Sequence, residues 1–502
     1  MATFQDVPMR NGKPHLIDDE VLALEFDHLK HDFQPTAHDV REMGLFGIEP
    51  TFKRRFKFVA MVGFASTVVM CWQNTLATFS FALQNGGTGG YFFTYIYGMI
   101  AFGFTYLSLA ELSSSCAPHK FRIPISYCVG WLCSLAWLGY LAGCGVIIGN
   151  LIHDAVLIYH PESSAANSQW FPTIFALVAL IIGGLFNGQL SRQFPALEGI
   201  MVVIHVVSWV AFIVVLWTTS PIGDAEDVLL TFNNGGGWVN DGGATLIGVL
   251  TACTENAKDA SFTIPWSLMI SYAVNAAMGF IAGVTVIFCA GDLDEVLSNG
   301  TQAPFVTIFY NSTQSKVGTV LMLLPFILCF LSSQISETAT ACRQIWAFAR
   351  DDGLPWSHKL KDVPDAETPQ TALWTVIAAT FVITCVNFGS AVGFNAIISL
   401  VSLSLTCSYV ITISCVIWHR VRGSGLPKER FSLGRAGLII NILALCTMAP
   451  IMVLAPFPPS AQVTPATMNW AILIFGVVII FSILYYILVG RKRFRPTLRK
   501  GE

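Results

Sequence analysis

A cluster of polar residues interrupts the first long apolar stretch of the chain. The stretch from 58 to 83 meets Trp72, Gln73, Asn74 and Thr75 and then becomes apolar again. An amide or hydroxyl group that enters hydrocarbon without a hydrogen-bond partner is costly, so such a cluster needs a purpose. It either lines a cavity in which an interrupted helix binds a small solute or an ion, or it bonds to a neighbouring helix. The residue types alone favour these two interpretations equally.

A second candidate is a carboxylate in a later apolar stretch. Glu337 lies in the sequence SSQISETATACRQ, where an ionisable side chain is by default a functional residue, as an ammonium partner or a proton carrier. Arg343 follows about two turns later, and this spacing favours the simpler interpretation that Glu337 is solvated near the membrane surface. Gln334, Ser333 and Ser336 would line the same path.

Two further carboxylates stand near the ends of apolar stretches, which favours structural or gating roles. Glu111 is expected to pair with Lys120 or Arg122. Glu198, expected in the first turn of its helix, would stabilise the positive end of the helix dipole. His205 lies inside an apolar stretch and is expected to be a hydrogen-bonded core residue rather than a proton relay.

Composition places the chain in the membrane class. Hydrophobic residues make up 54% of its 502 residues, charged residues only 12%, and the mean hydropathy is +0.62, which excludes an ordinary soluble domain. The chain is therefore predicted to be an all-α polytopic membrane protein with a polar tail at 1–52, a membrane domain at 53–490 and a basic tail at 491–502. Eleven apolar stretches are long enough to cross a bilayer, at about 58–83, 91–112, 123–151, 170–188, 194–217, 264–290, 317–342, 371–387, 392–418, 436–455 and 468–490.

Lysine and arginine predict the orientation, because short cytoplasmic loops retain them. Five loops contain neither residue: 152–169, 218–243, 291–315, 388–391 and 456–467. Of the 28 basic residues, only Lys316 falls on the side of these loops, so both termini are predicted to be cytoplasmic. Arg343 and Arg350 stand in a dense inner loop whose charges either lock an inner gate or only anchor the topology.

An even number of crossings follows from that orientation, so the eleven stretches leave one crossing missing. The order of the loops places it between Gly243 and Ile264. There ATLIGVLTAC supplies only about ten apolar residues, roughly half of what a bilayer helix needs, before the polar TENAKDAS. Either a shortened sixth helix enters a cavity formed by its neighbours, or residues are missing from the chain.

The sequence contains no pattern that predicts a metal site or catalysis. The 13 cysteines lie almost entirely within apolar stretches without paired CxxC motifs, and the glycine clusters at 86–90 and 235–237 lack the strand and helix of a phosphate-binding loop. The chain is therefore predicted not to be an enzyme. Asn299 and Asn311 each begin an N-glycosylation triplet in a predicted outer loop.

Several short sequences spread along the chain form a specific set. They include SLAELSSSCAP at 108–118, FPALEGIMVVIHV at 194–206, KDASFTIP at 258–265 and ATACRQIWAFARDDGLPWS at 339–357. Together they resemble the fungal amino acid, choline and GABA permeases of the amino acid, polyamine and organocation superfamily. The resemblance implies twelve helices of the leucine-transporter type, with two inverted five-helix repeats followed by two C-terminal helices. It also implies proton-coupled or exchange transport of amino acids or small amines.

The same resemblance shifts the interpretation of the polar cluster from helix contact towards a site. In the family, the corresponding part of the first helix is unwound, so that its amides hold a carboxylate while an aromatic ring encloses an ammonium group. The predicted substrate-binding residues are Ser66, Thr67, Trp72, Gln73, Asn74, Gln334 and Glu337.

Two departures from the family pattern affect this prediction. The APTAGGQYHW-like stretch usual between the second and third helices is missing after Ala117, and the sixth helix lacks the small polar residues and acidic pair usual before KDAS. Both parts serve substrate binding or gating in the family. The alternative to a working transporter is therefore a degenerate or mis-spliced permease, or a membrane sensor that does not transport.

The expected function is secondary active transport of an amino acid or a small amine such as GABA or choline by alternating access. The plasma membrane is the favoured location and the vacuolar membrane the second. The expected partners are the substrate and the lipid bilayer, with no nucleic acid, and no cofactor is expected apart from a coupling proton.

Overall fold

A computed structural model describes residues 9–10, 13–14, 70–113, 122–164, 168, 170–256, 265–298, 303–363, 368–388, 393–422, 431–464 and 468–496. The chain forms two compact units, one made of 1–55, 365–367 and 497–502, and one made of the rest. In the first unit, the described residues form two short antiparallel strands, β1 (Met9–Arg10) and β2 (Lys13–Pro14).

The second unit is built from helices. In chain order they are α1 Cys71–Ala77, α2 Phe79–Gln84, α3 Gly87–Ser113, α4 Arg122–Tyr159, α5 Trp170–Gln189, α6 Phe194–Thr219, α7 Ala225–Leu230, α8 Asp241–Asn256, α9 Pro265–Cys289, α10 Leu293–Ser298, α11 Phe305–Thr313, α12 Lys316–Arg350, α13 Ser357–Leu360, α14 Gln370–Cys385, α15 Gly393–Val421, α16 Gly437–Leu454, α17 Ala471–Tyr485 and α18 Arg491–Arg493. A π-helical turn, Tyr486–Gly490, joins α17 to α18.

Ten helical segments in the described part of the chain are long and apolar enough to cross a membrane. They are α3, α4, α5, α6, α9, α12, α14, α15, α16 and α17, some extended by a flanking turn. Each coincides with one of the predicted apolar stretches, so the all-α polytopic prediction is confirmed. Because each of these helices buries its backbone hydrogen bonds internally, apolar side chains can face lipid along its length.

A helix, α8, lies where parity predicts the missing crossing, but it is not one of the ten segments above. α8 has 16 residues, which gives a length of about 24 Å, and it packs against α2 and α3. The ten membrane-crossing segments have 19 to 37 residues with their flanking turns included, whereas α8 is described only as far as Asn256. Residues 257–264, which follow it, lie outside the described part.

The first apolar stretch is interrupted, but not within the polar cluster. Met70 adopts a left-handed backbone conformation with φ 43°, which is rare for a residue with a side chain, and α1 begins directly after it. The cluster itself is helical in α1, and a second break follows at Thr78 between α1 and α2. The prediction of an interrupted first helix is therefore correct in kind and wrong in position. Ser66 and Thr67 lie outside the described residues.

α1 is held tightly between α9 and α3. Gly279 of α9 faces both, and a Cβ atom there would lie 2.2 Å from the Tyr95 hydroxyl and 2.8 Å from Cys71 Sγ. Only a residue without a side chain permits this approach. The left-handed Met70 at the start of α1 is thus placed inside the helix bundle rather than at its surface.

Candidate functional site

The side chains of the polar cluster divide into two groups. The Asn74 amide donates to the Met70 carbonyl oxygen at 3.2 Å, and the Thr75 hydroxyl donates to the Cys71 carbonyl oxygen at 2.8 Å. These two side chains therefore serve the backbone of their own helix. Trp72 and Gln73 instead project towards α6 and α12. Of the predicted site residues in α1, these two contact other helices.

Trp72 is enclosed by rings from two other helices. Its ring centroid lies 4.8 Å from that of Phe326 on α12, 5.5 Å from that of Phe212 on α6 and 6.0 Å from that of His205 on α6. The side chain is fully buried, and its indole N–H has no hydrogen-bond partner among the described residues. We call Trp72, Phe212, Phe326 and His205 the aromatic box.

Gln73 connects the interrupted helix to the box. Its Nε2 lies 3.0 Å from His205 Nδ1, although the two residues are 132 positions apart in the chain. Within the ranges that the structure describes, Gln73 Oε1 and His205 Nε2 have no hydrogen-bond partner, and His205 is only 2% exposed. The expectation that His205 is a bonded core histidine therefore holds for one ring nitrogen and fails for the other. Counting the Trp72 indole N–H, three buried polar atoms here lack a partner within the described part of the chain, and such an incomplete hydrogen-bond network is costly unless a further group completes it.

A roof of aromatic residues covers the box. Phe305 and Phe309 of α11 lie 5.2 Å and 5.8 Å from the Phe326 ring, and Phe309 lies 5.8 Å from Phe212. From the sequence, 291–315 is predicted to be a loop, because its short helices carry too few apolar residues to resemble a crossing. The apolar run PFVTIF at 304–309 was the available signal.

Asp154 holds the start of α11, the helix that carries the roof. The sequence did not predict a role for this residue. Its carboxylate is fully buried at the end of α4, where Oδ1 lies 3.0 Å from His153 Nδ1 and Oδ2 accepts the Ala303 backbone N–H at 2.8 Å. Ala303 is two residues before α11. A buried carboxylate that bonds a distant backbone amide ties α4 to the roof.

Glu337 is buried, and the prediction that it is solvated is wrong. It is fully inaccessible and accepts a hydrogen bond from the Ser333 hydroxyl at 3.2 Å, one turn earlier on α12. Tyr140 of α4 lies within electrostatic range of it. α12 continues to Arg350, and neighbouring helices cover Glu337 although a cation follows soon after in the sequence. The carboxylate can therefore serve as a proton carrier or an ammonium partner inside the protein.

The other candidates on α12 face different neighbours. Gln334 is turned towards α5, where a Cβ at Gly183 would lie 3.6 Å from its Cγ. Neither its amide nitrogen nor its amide oxygen has a hydrogen-bond partner in the described part of the chain. Ser336 donates its hydroxyl hydrogen to the Glu198 carboxylate of α6. α6 begins at Phe194, so Glu198 lies in the second turn, and the prediction of a first-turn position is wrong. The buried Glu198 joins α6 to α12.

Glu111 has a structural partner that the sequence did not suggest. Its carboxylate accepts hydrogen bonds from the Arg420 guanidinium at the end of α15 and from the Leu433 backbone N–H at 2.9 Å. Lys120 and the Arg122 side chain, the expected partners, lie outside the described residues. The pair joins α3, α15 and the segment before α16 at the end of the bundle that carries most of the arginines, which we call the basic end.

The two arginines after Glu337 also lie at the basic end. Arg343 is exposed, whereas Arg350 contacts the Asp351 carboxylate at 3.3 Å and lies 5.2 Å from the centroid of the Trp346 ring. The two alternatives, an inner gate and a topology anchor, both stay predictions for these residues.

Neither glycosylation prediction is tested by the fold. Asn311 lies in α11 with its amide donating to Glu295 Oε1 at 3.3 Å, and Asn299 lies outside the described residues. Within the described residues, no group of three or more His, Cys, Asp or Glu side chains is arranged to hold a metal ion.

These features define a class of protein, a polytopic helical membrane protein with an interrupted helix and with buried polar atoms in its interior that lack partners among the described residues. The sequence profile of the family described as amino acid permease matches residues 56–480. The chain belongs to that family.

Individual relatives agree with this assignment. A protein of Macrophomina phaseolina, provisionally named an amino acid/polyamine transporter, is 27% identical over 82% of this chain and 96% of its own length. Amino-acid permease 2 of Neurospora crassa is 25% identical over 89% of this chain and 86% of its own length. The choline transporter of Saccharomyces cerevisiae is 24% identical over 89% of this chain and 83% of its own length.

Proposed function

We propose that this protein carries amino acids or small amines across a membrane by secondary active transport. The family assignment and the names of the relatives, which include amino acids, polyamines and choline, support this substrate class. The observation that carries the proposal is the incomplete hydrogen-bond network beside the interrupted first helix. Packing of helices alone gives no reason for three buried polar atoms to lack partners among the residues that the structure describes.

The aromatic box is the proposed site for the ammonium group of the substrate. The face of an indole ring attracts cations, and this attraction strengthens when both groups are removed from water. Gln73 Oε1 supplies a hydrogen-bond acceptor beside it, and the Trp72 N–H supplies a donor for a polar atom elsewhere on the substrate. His205 would complete the bonding of the same substrate through Nε2.

Alternating access is proposed to work through the roof. With Phe305 and Phe309 stacked over the box, the site is closed at the end opposite to the basic end. Substrate entry from that side requires α11 to move away from Phe326, and Asp154 holds the start of α11 against this movement. The roof is therefore the proposed outer gate.

A proton is the proposed coupling ion, and Glu337 its proposed carrier. Phe326, Phe330, Ser333 and Glu337 follow one another at spacings of three and four residues, so they share one face of α12. That face leads from the aromatic box towards the basic end. The basic residues support the proposal that this end is cytoplasmic, with both termini inside and the protein in the plasma membrane.

Uptake in a permease-deficient yeast strain tests the proposal. Radiolabelled amino acids, GABA and choline are supplied to cells that express the wild type, Gln73→Leu or Thr105→Val, with surface delivery measured for each. Thr105 is a buried hydroxyl on α3 that bonds its own helix at 2.9 Å, so Thr105→Val removes a polar group away from the site. We expect uptake by the wild type and the control and a loss of about tenfold in Gln73→Leu. No uptake of any compound by wild-type protein at the surface would overturn the proposal.

The short α8 supports a second candidate, a permease that no longer transports. Its apolar run, ATLIGVLTAC, supplies about ten residues, whereas a bilayer helix needs about 20. Sequencing the transcript distinguishes the two. A transcript that encodes about twenty further residues around Thr254 would restore a full crossing, whereas an unchanged transcript without uptake supports the non-transporting protein.

A further inference from the structure

The segment after the last crossing combines exposed cations with one buried aromatic residue. α18 consists of Arg491, Lys492 and Arg493, all exposed, and Arg495 is exposed as well. Phe494, between them, is only 5% exposed. A chain end that merely anchored the topology would need the cations but not the buried ring.

Phe494 lies in an aromatic pocket formed by two distant helices. Its ring centroid is 5.2 Å from that of Tyr127, near the start of α4, and 5.9 Å from that of Phe348, near the end of α12. The segment that follows the last crossing is thereby fastened to the basic end of the bundle.

Two hydrogen bonds connect this segment to the loop between α12 and α13. The Arg495 backbone N–H donates to the Asp351 carbonyl oxygen at 3.0 Å, and the Tyr485 hydroxyl donates to the Leu354 carbonyl oxygen at 3.4 Å. Gly353 of this loop packs directly on the Phe348 ring, since a Cβ there would lie 2.2 Å from it. The position of the segment and the position of the loop at 351–356 are therefore coupled through Phe348.

The cations are placed to meet lipid rather than protein. Within the described part of the chain, no carboxylate pairs with any of the four. Ile487 and Leu488, in the turn just before them, are 62% and 72% exposed, so this side of the last crossing faces the acyl chains. Cations directly beyond a lipid-facing turn lie at the depth of the headgroups, where anionic lipids attract them.

We propose that residues 491–495 bind the headgroups of anionic phospholipids and that this binding, through Phe494, holds the loop at 351–356 against the basic end of the bundle. The exposed cations recognise the lipid by its charge. The loop at 351–356 responds because Phe494, which lies between these cations in sequence, packs on Phe348 beneath the loop. Lipid composition would thus set how readily the bundle opens at this end.

Hydrogen exchange of the full-length protein in nanodiscs tests the proposal without requiring transport. Backbone N–H groups of Asp351, Asp352 and Gly353 bond to the last turn of α12, so their exchange reports opening of the loop. Exchange is compared between nanodiscs of phosphatidylcholine alone and of phosphatidylcholine with phosphatidylserine. We expect exchange about tenfold slower with phosphatidylserine in the wild type, a difference that shrinks at high salt.

Three variants separate lipid binding from folding. The triple variant R491Q/K492Q/R493Q should lose the lipid-dependent difference, whereas the control K359Q/R422Q/R435Q, which removes three other cations from the basic end, should keep it. Phe494→Ala should exchange rapidly at 351–356 in both lipids. Equal exchange of the wild type in the two lipids, a difference retained by the first triple variant, or slow exchange retained by Phe494→Ala would each overturn the proposal.

Discussion

Removing the charge of Glu111 should destabilise the basic end of the bundle substantially. The side chains of Glu111 and Arg420 are only 3% and 13% exposed, so the ion pair is largely removed from water. Glu111→Gln keeps the shape but leaves the Arg420 guanidinium without its counter-charge. Breaking a buried pair from one side costs about 3–5 kcal/mol, because the remaining charge stays desolvated.

A matching prediction concerns the stability of the protein when both Glu111 and Arg420 are replaced. Replacing both charges by neutral groups leaves no unpaired charge, and such replacements are often close to neutral. The double variant Glu111→Gln/Arg420→Gln should therefore be more stable than Glu111→Gln alone. We would measure unfolding of the purified protein with a thiol-reactive dye, since cysteines such as Cys71 and Cys144 are buried in the folded state.

A glycine beside the pair offers an independent approach. A Cβ atom at Gly437, at the start of α16, would lie 2.2 Å from the Arg420 guanidinium, so Gly437→Ala should also weaken the pair. Gly476 of α17 has no atom within 4 Å of such a Cβ, and Gly476→Ala should be neutral or stabilise by up to about 1 kcal/mol through helix propensity. A melting temperature of Glu111→Gln equal to that of the wild type, or additive losses in the double variant, would refute the reasoning.

Three further predictions concern the site and its surroundings. Gly279→Ala should push α9 away from Tyr95 and lower both the melting temperature and uptake, whereas uptake at the wild-type level would show that the contact tolerates a methyl group. Asp154→Asn should weaken the acceptor of the Ala303 N–H by about 1–3 kcal/mol and speed hydrogen exchange at that amide, and unchanged exchange would exclude Asp154 as the anchor of the roof. Asn299→Gln should abolish a glycosidase-sensitive shift in gel mobility, and a shift that persists would place the modification elsewhere.

The helices could be predicted from the sequence because hydrophobic length and charge act locally. The stretch at 194–217 became α6 almost without change, and counting basic loops required a helix where α8 lies. Both inferences use only the cost of placing charge and backbone in hydrocarbon.

The side-chain contacts that form the site could not be predicted from these local properties of the sequence. Gln73 meets His205 across 132 residues, and Glu111 meets Arg420 across 309, pairings that depend on how helices pack and not on any local pattern. Glu337 was predicted to be solvated from its distance to Arg343 along the chain. Burial depends instead on the helices alongside, and α12 continues well beyond the point at which the sequence indicated the membrane surface.

The roof illustrates a different difficulty. α11 is only 9 residues long and has no crossing-length apolar run, yet Phe305 and Phe309 are fully buried because they cap a cluster assembled from α1, α6 and α12. A short helix of this kind gains its stability from tertiary packing rather than from its own sequence.

Ligand-induced stabilisation tests most directly whether the aromatic box and Gln73 form the substrate site. At a ligand concentration of about a hundred times Kd, binding stabilises the folded protein by about 2.7 kcal/mol, whatever the coupling ion. The melting temperature of the purified protein is measured with choline, GABA and amino acids for the wild type, Gln73→Leu and Thr105→Val. The account predicts that at least one of these compounds stabilises the wild type and Thr105→Val but not Gln73→Leu. Equal stabilisation of Gln73→Leu would show that the substrate binds elsewhere.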